Sequence, residues 1–167
     1  MTRKVEIERK FLLLKKPTSE RLEVHKIRQG YIARENGNTV RIRQQDARYI
    51  LSIKTARIQG GRNELEYDVP KADGEILFAS LQHKPIIKTR EIFKIDDRIW
   101  EVDIFDGANK GLIIAEIELN SMNEKILLPD WVGPEVTELS KFYNANIAYR
   151  PFEQWNITYD ELVKRLG

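Results

Sequence analysis

The sequence predicts a mainly β protein of the α+β kind: eight antiparallel strands closed into a barrel, with peripheral and C-terminal helices. Three observations lead there. Apolar and charged residues alternate in eight segments up to about residue 119, and a period of two marks a strand with one buried and one polar face. Turn signals separate several of these segments, namely Glu35-Asn36-Gly37-Asn38, Gln59-Gly60-Gly61, Asp96-Asp97 and Asp106-Gly107. Such short connections favour hairpins between consecutive strands. An open sheet of eight strands would leave unpaired edges, and closure removes them. A barrel of that size has room for one small ligand.

The strands are expected at 4–13, 26–34, 38–46, 48–57, 63–70, 85–95, 98–106 and 112–119. In the first, successive side chains point to opposite faces. Glu6, Glu8 and Lys10 therefore share one face, and Val5, Ile7 and Phe11 share the other. Arg9 is the exception on the apolar side and reads as an outside residue. Residues 71–83 predict a short helix: Ile76, Leu77 and Leu81 fall at helical spacing, and Asp73 is placed to cap it. Beyond residue 120 the pattern changes. Thr137-Glu138-Leu139-Ser140-Lys141 is expected to open a helix, and Thr158 to cap a last one with Leu162, Val163 and Leu166 on one face.

The chain has 167 residues, 32% of them charged, with a net charge of only +2 and no cysteine. One domain, 1–167, is expected, long enough to bury a sizeable core. Disulfides and thiolate metal sites are excluded. Nucleic acid is not an expected partner, because the acids would repel a phosphate backbone. There is no run of about 18 apolar residues and no signal-peptide pattern. A soluble cytoplasmic protein with no membrane partner is the expectation.

Charged residues recur two apart along the expected strands: Glu6, Glu8 and Lys10; Arg41 and Arg43; Glu64 and Glu66; Lys88 and Arg90; Glu101 and Asp103; Glu116 and Glu118. Lys54 stands beside Ile53 in the fourth strand. Any single pair is most simply a solvated strand face. Taken together, like charges at neighbouring positions on one face repel, so a counter-charge or ligand is implied. Acidic and basic strands are also segregated, which predicts one cavity with an acidic and a basic wall. Carboxylates without Cys or His suit hard cations such as Mg²⁺ or Mn²⁺. Clustered Arg and Lys suit phosphate oxygens. A site with both suits a metal-bound chain of phosphates.

At this point the residues show a resemblance. Glu6-x-Glu8-x-Lys10 resembles the ExExK signature of the CYTH superfamily, the triphosphate tunnel metalloenzymes. Gln29-Gly30-Tyr31 resembles that family's QGY strand, Arg41-Ile42-Arg43 its RxR and Ser52-Ile53-Lys54 its lysine strand. Glu64-Leu65-Glu66 and Glu116-Ile117-Glu118 resemble two further ExE strands. The order is kept over roughly residues 3–150, and the length matches the compact bacterial members. The stretch 137–146 follows the family only loosely, with Leu139 where a polar residue is common.

The resemblance implies a tunnel-forming barrel holding a divalent metal, Mg²⁺ or Mn²⁺, and a triphosphate, with a C-terminal helix closing one end. It implies that Glu6, Glu8 and Glu118 hold one metal, with Glu64, Glu66 and Glu116 as acids for a second. It implies that Lys10, Arg41, Arg43, Lys54, Lys88, Arg90 and Lys141 grip phosphates. Tyr31 and Lys88 are the expected catalytic pair, the ammonium lowering the phenol's pKa if the two are close. Hydrolysis of inorganic tripolyphosphate to diphosphate and phosphate is the expected reaction. Alternatives are an adenylate cyclase or thiamine triphosphatase of the same family, or a non-catalytic polyphosphate-binding module. A homodimer is expected because family members often pair. His25 and His83 match no site pattern and read as surface or turn residues.

Overall fold

The computed structural model describes residues 5–57, 62–121 and 123–167, with the backbone alone for Val5 and Glu6. The expected turn at Gln59-Gly60-Gly61 lies outside the described residues. The chain is mainly β. Its strands are β1 (Val5–Glu6), β2 (Glu8–Leu13), β3 (Arg21–Glu35), β4 (Asn38–Gln45), β5 (Arg48–Lys54), β6 (Arg62–Val69), β7 (Ile86–Ile95), β8 (Arg98–Asp106), β9 (Ile113–Glu118) and β10 (Val132–Glu135). They form one antiparallel sheet in the order β1-β6-β5-β4-β3-β7-β8-β9-β2-β10. The helices are α1 (Lys71–Ala79), α2 (Asn144–Tyr149) and α3 (Tyr159–Leu166).

The strand count is ten rather than eight for two reasons. The first expected strand is interrupted at Ile7. Val5 and Glu6 pair with Asn63 and Arg62 of β6, whereas Glu8 to Phe11 pair with Glu118 to Ala115 of β9. The tenth strand, β10, is only four residues long and contains Gly133 and Pro134, so no alternation announces it. Between β3 and β4 the Asn36-Gly37 turn has positive φ at both residues, 50° and 79°, as a tight two-residue hairpin requires.

The helix expected from Thr137 does not form there. The Val136 amide donates to Lys10 O at 2.8 Å, and the Lys10 amide donates to Thr137 Oγ1 at 2.9 Å. These bonds tie residues 136–137 to β2, a turn closes as the Leu139 amide donates to Val136 O at 3.0 Å, and helix α2 starts only at Asn144. In α1, Asp73 lies inside the first turn and the N-cap is Pro70, without a side-chain cap. Ile76 is 69% exposed; the helix docks instead through Gly74, where a Cβ would come within 2.2 Å of the Tyr49 ring. The last helix is as expected: Thr158 and Glu161 form a reciprocal capping box, and Leu162 is buried.

Two apolar clusters hold the sheet. Phe11, Trp100, Val102, Ile117 and Trp131 pack on the outer face of β2, β8 and β9. Leu12, Ile86, Phe105 and Ile114 meet Phe142, Ile147, Phe152 and Leu162 from the C-terminal segment. On the outer face of β2, Arg9 reaches Glu135 with two bonds of 2.8 and 2.6 Å. Among the described residues no helix is long and apolar enough to cross a membrane.

Candidate active site

The register sets the site. Glu8 lies opposite Glu118 and Lys10 opposite Glu116 across β2 and β9. Tyr31 faces Arg41 and Gln29 faces Arg43 across β3 and β4. Lys54 faces Glu64 across β5 and β6, and Arg90 faces Asp103 across β7 and β8. Because alternate side chains share a face, these positions converge on a cavity of about 530 Å³. Glu8, Lys10, Tyr31, Arg41, Arg43, Lys54, Glu64, Glu66, Arg90, Glu116 and Glu118 all line it. The Glu6 side chain lies outside the described residues; its backbone pairs with Arg62, another lining residue.

Gln29-Gly30-Tyr31 has a structural logic. Gln29 and Tyr31 point inward, while Gly30 faces out beneath Leu81, whose Cδ1 would lie 2.3 Å from an added Cβ. A side chain there would force the Leu81 side chain to move aside.

Ion pairs organise the walls. Lys10 bonds Glu116 and lies 2.9 Å from Glu8. Arg41 lies 3.4 Å from Glu64 and 3.7 Å from Glu66, and Lys54 lies 3.3 Å from Glu64. Arg90 gives Nε and Nη2 to Asp103 at 2.6 and 2.7 Å, Nη2 to Glu116 at 3.1 Å and Nη1 to Glu101. Burial alone would raise the Glu116 carboxyl, but Lys10 and Arg90 hold it well below the usual range. Glu101 is pushed up by burial, with Arg90 opposing.

Two expected site residues stand away from the cavity wall. Lys88 is fully buried, 2.5 Å from Asp103 and 3.5 Å from Asn144 Oδ1. Burial lowers it from the ordinary 10.5 to about 8 in spite of Asp103, with Arg90 and Arg43 adding to the fall. Lys141 sits over the Trp155 ring at 4.8 Å. No hydrogen bond joins Tyr31 to Lys88 among the described residues. Burial raises the Tyr31 phenol although Arg41, Arg43 and Lys10 pull it down, the opposite of the expected lowering. His25 of β3 bridges Glu23 of the same strand and Asp46 of the β4–β5 turn, and His83 packs against Tyr149.

Residues given no metal, phosphate or catalytic role from the sequence also line the cavity: Arg34, Arg57, Arg62, Glu101, Tyr143 and Asn144. Arg34 escapes simple alternation because β3 carries an extra residue between Tyr31 and Ala33 relative to β4. That bulge shifts the parity, as bulges do, and turns Arg34 inward. Arg62 and Glu101 do carry a signal, lying two before Glu64 and two before Asp103 on the same faces. Arg57 and Tyr143 meet across the site, the guanidinium 5.6 Å from the ring centre; Arg57 lies in the expected strand 48–57 but past the end of β5 at Lys54, where alternation no longer sets its direction.

Glu8 and Glu118 offer hard oxygens from directly opposed positions, the chemistry Mg²⁺ and Mn²⁺ take. Glu64, Glu66 and Glu116 are engaged with Arg41, Lys54, Lys10 and Arg90. Among the described residues no three carboxylates already converge as a ligand group.

Comparison with known proteins places this arrangement. The chain is 35% identical over 151 residues to an inorganic triphosphatase of Acetivibrio thermocellus, covering 90% of this chain and 97% of that protein. It is 33% identical over 149 residues to an inorganic triphosphatase of Nitrosomonas europaea, covering 86% and 96%. Its fold is similar to the crystal structure of the inorganic triphosphatase NE1496, with a TM-score of 0.66 at 31% identity, covering 86% of this chain and 93% of that one. The CYTH domain model matches residues 4–146. The chain therefore belongs to the CYTH domain family.

Proposed function

We propose that this protein hydrolyses a triphosphate, inorganic tripolyphosphate first, to diphosphate and phosphate with the help of Mg²⁺ or Mn²⁺. One observation carries the reading: a single cavity lined by Lys10, Arg41, Arg43, Lys54 and Arg90 together with Glu8, Glu64, Glu66, Glu116 and Glu118. The similarity to two inorganic triphosphatases supports it. We also infer that the sheet closes into the expected eight-stranded barrel, supported by the pairing of the segments on either side of Ile7 with opposite ends of the strand order.

In this reading Lys10, Arg41, Arg43, Lys54 and Arg90 bind the phosphate chain and offset charge on the transferring group. Glu8 and Glu118, with Glu6, would hold a metal, which supplies charge neutralisation and a more acidic water. Glu64, Glu66 and Glu116 keep the cations extended and oriented. Tyr31 stays protonated and donates to a phosphate oxygen. Lys88 acts through Asp103, which it holds beneath the cavity wall, rather than on the substrate directly. Lys141 is left a place at the aromatic cluster rather than on the substrate.

Phosphate release from tripolyphosphate with Mg²⁺ or Mn²⁺ tests the reading. Glu8→Ala is expected to reduce turnover about a hundredfold or more. Absence of metal-dependent turnover, or a Glu8→Ala variant as active as the parent, overturns it. Formation of cyclic AMP from ATP would favour a cyclase, and faster turnover of thiamine triphosphate the other family activity. Binding without turnover would mark a polyphosphate-binding module. Sedimentation tests the expected homodimer.

A further inference from the structure

The cations of the cavity differ in what holds them. Lys10, Arg41, Lys54 and Arg90 are each paired with carboxylates. Arg43 lies in the same wall, but its side-chain hydrogen bond goes to a neutral group: Nε donates to Gln29 Oε1 at 3.2 Å. Burial, with Arg41 and Arg90 alongside, lowers Arg43 to about 10, so the guanidinium remains charged at neutral pH.

Gln29 is wholly buried and sits directly opposite Arg43 in the β3–β4 ladder. Its amide has one sensible orientation. Arg43 Nε is only a donor, so Oε1 must meet it and Nε2 must turn away. That Nε2 has no hydrogen-bond partner, and neither does the buried Nε of Arg41. Buried donors are rarely left unmatched. At this corner two buried donors point where no protein acceptor stands. The Arg90 corner is the reverse, with Asp103, Glu101 and Glu116 converging on one guanidinium.

We propose that Gln29 is a positioning residue for substrate: it aims the Arg43 guanidinium through a neutral acceptor, so that Arg43 keeps its charge for an oxyanion of the phosphate chain. A carboxylate at position 29 would hold the guanidinium at least as firmly, because charge-assisted bonds are shorter and stronger. It would also cancel the charge the anion needs. Stability and anion affinity should therefore respond in opposite directions, which a merely structural glutamine would not produce. The proposal rests on the triphosphate reading of the cavity.

The test compares Gln29→Glu and Gln29→Met with the parent protein in thermal melting, in calorimetric titration with tripolyphosphate, and in phosphate release. Gln29→Glu is expected to melt no lower than the parent. It should raise both Kd and KM for tripolyphosphate about tenfold or more, with kcat changed far less. Gln29→Met, which removes the acceptor without adding charge, should weaken binding by a smaller factor. In an Arg43→Lys background the further effect of Gln29→Glu should shrink, since it acts through the guanidinium. A folded Gln29→Glu that binds tripolyphosphate as tightly as the parent overturns the proposal. If Gln29→Glu does not fold, unchanged affinity in Gln29→Met overturns it. Parent protein that binds tripolyphosphate without hydrolysing it removes the enzymatic reading alone, and weakened binding by Gln29→Glu then still supports the role of Gln29. Parent protein that binds no tripolyphosphate overturns both.

Discussion

Four strands change character half-way along their inner face. In β2, Glu8 and Lys10 give way to Leu12; in β7, Arg90 and Lys88 to Ile86; in β8, Glu101 and Asp103 to Phe105; in β9, Glu118 and Glu116 to Ile114. Of the charged half, Glu8, Lys10, Arg90, Glu101, Glu116 and Glu118 border the cavity. The apolar half is sealed by Phe142, Ile147, Phe152 and Leu162. At the boundary lie Lys88 and Asp103, both with wholly buried side chains. The contrast shows how one sheet serves two ends. The apolar half keeps water from the inner end, and that low-dielectric floor strengthens each ion pair above it. The charged half contributes to stability only while each charge keeps its partner.

The largest effect is expected where the two halves depend on one residue. Arg90→Met would leave Asp103, Glu101 and Glu116 without the guanidinium they share, and breaking a buried pair costs about 3–5 kcal/mol. Urea denaturation should show that loss, together with loss of phosphate release. Phe142→Ala, in the apolar half, should cost about 3–5 kcal/mol through its cavity yet leave KM for tripolyphosphate unchanged below the melting transition. Equal damage to KM from both variants would break the comparison.

Lys88 gives a smaller, pH-dependent effect. Its folded pKa of about 8 lies below the ordinary 10.5, so between these values the unfolded chain binds more protons than the folded one. The penalty for burying its charge is full below pH 8 and is relieved as pH rises toward 10.5. Stability of the parent relative to Lys88→Met should therefore increase across that window, as measured by denaturation at pH 7 and pH 10. Smallest is the far end of the chain: Thr158→Ala removes the α3 cap and should cost about 1 kcal/mol without changing turnover.

Much of this was legible because a period of two is a local property. The eight expected strand ranges overlap observed strands, and ten of the eleven metal and phosphate residues expected in those ranges whose side chains are described line the cavity; the exception is Lys88, one layer too deep. Depth along a strand is not written in alternation, which says only which face a side chain takes. Arg34 was hidden by a bulge, and β10 by its shortness. Residues 136–137 open no helix because the backbone of Lys10, 126 positions or more away, captures them. Ile76 fitted a helical stripe, but the helix docks through Gly74 because the Tyr49 ring requires a residue without a side chain.

The sequence by itself determined the β character, the inward and outward faces, the ordered signature from Glu8 to Glu118 and the oxygen-and-cation chemistry. These follow from spacing and residue type. Only the tertiary structure decided which cation meets which acid, because register between distant strands depends on packing across the whole sheet. It set Arg90 among three carboxylates, Lys88 against Asp103 in the sealed floor, and Arg43 against a neutral amide. Charge says what a residue attracts; the partner it is given in the fold says how much of that attraction is left for a ligand.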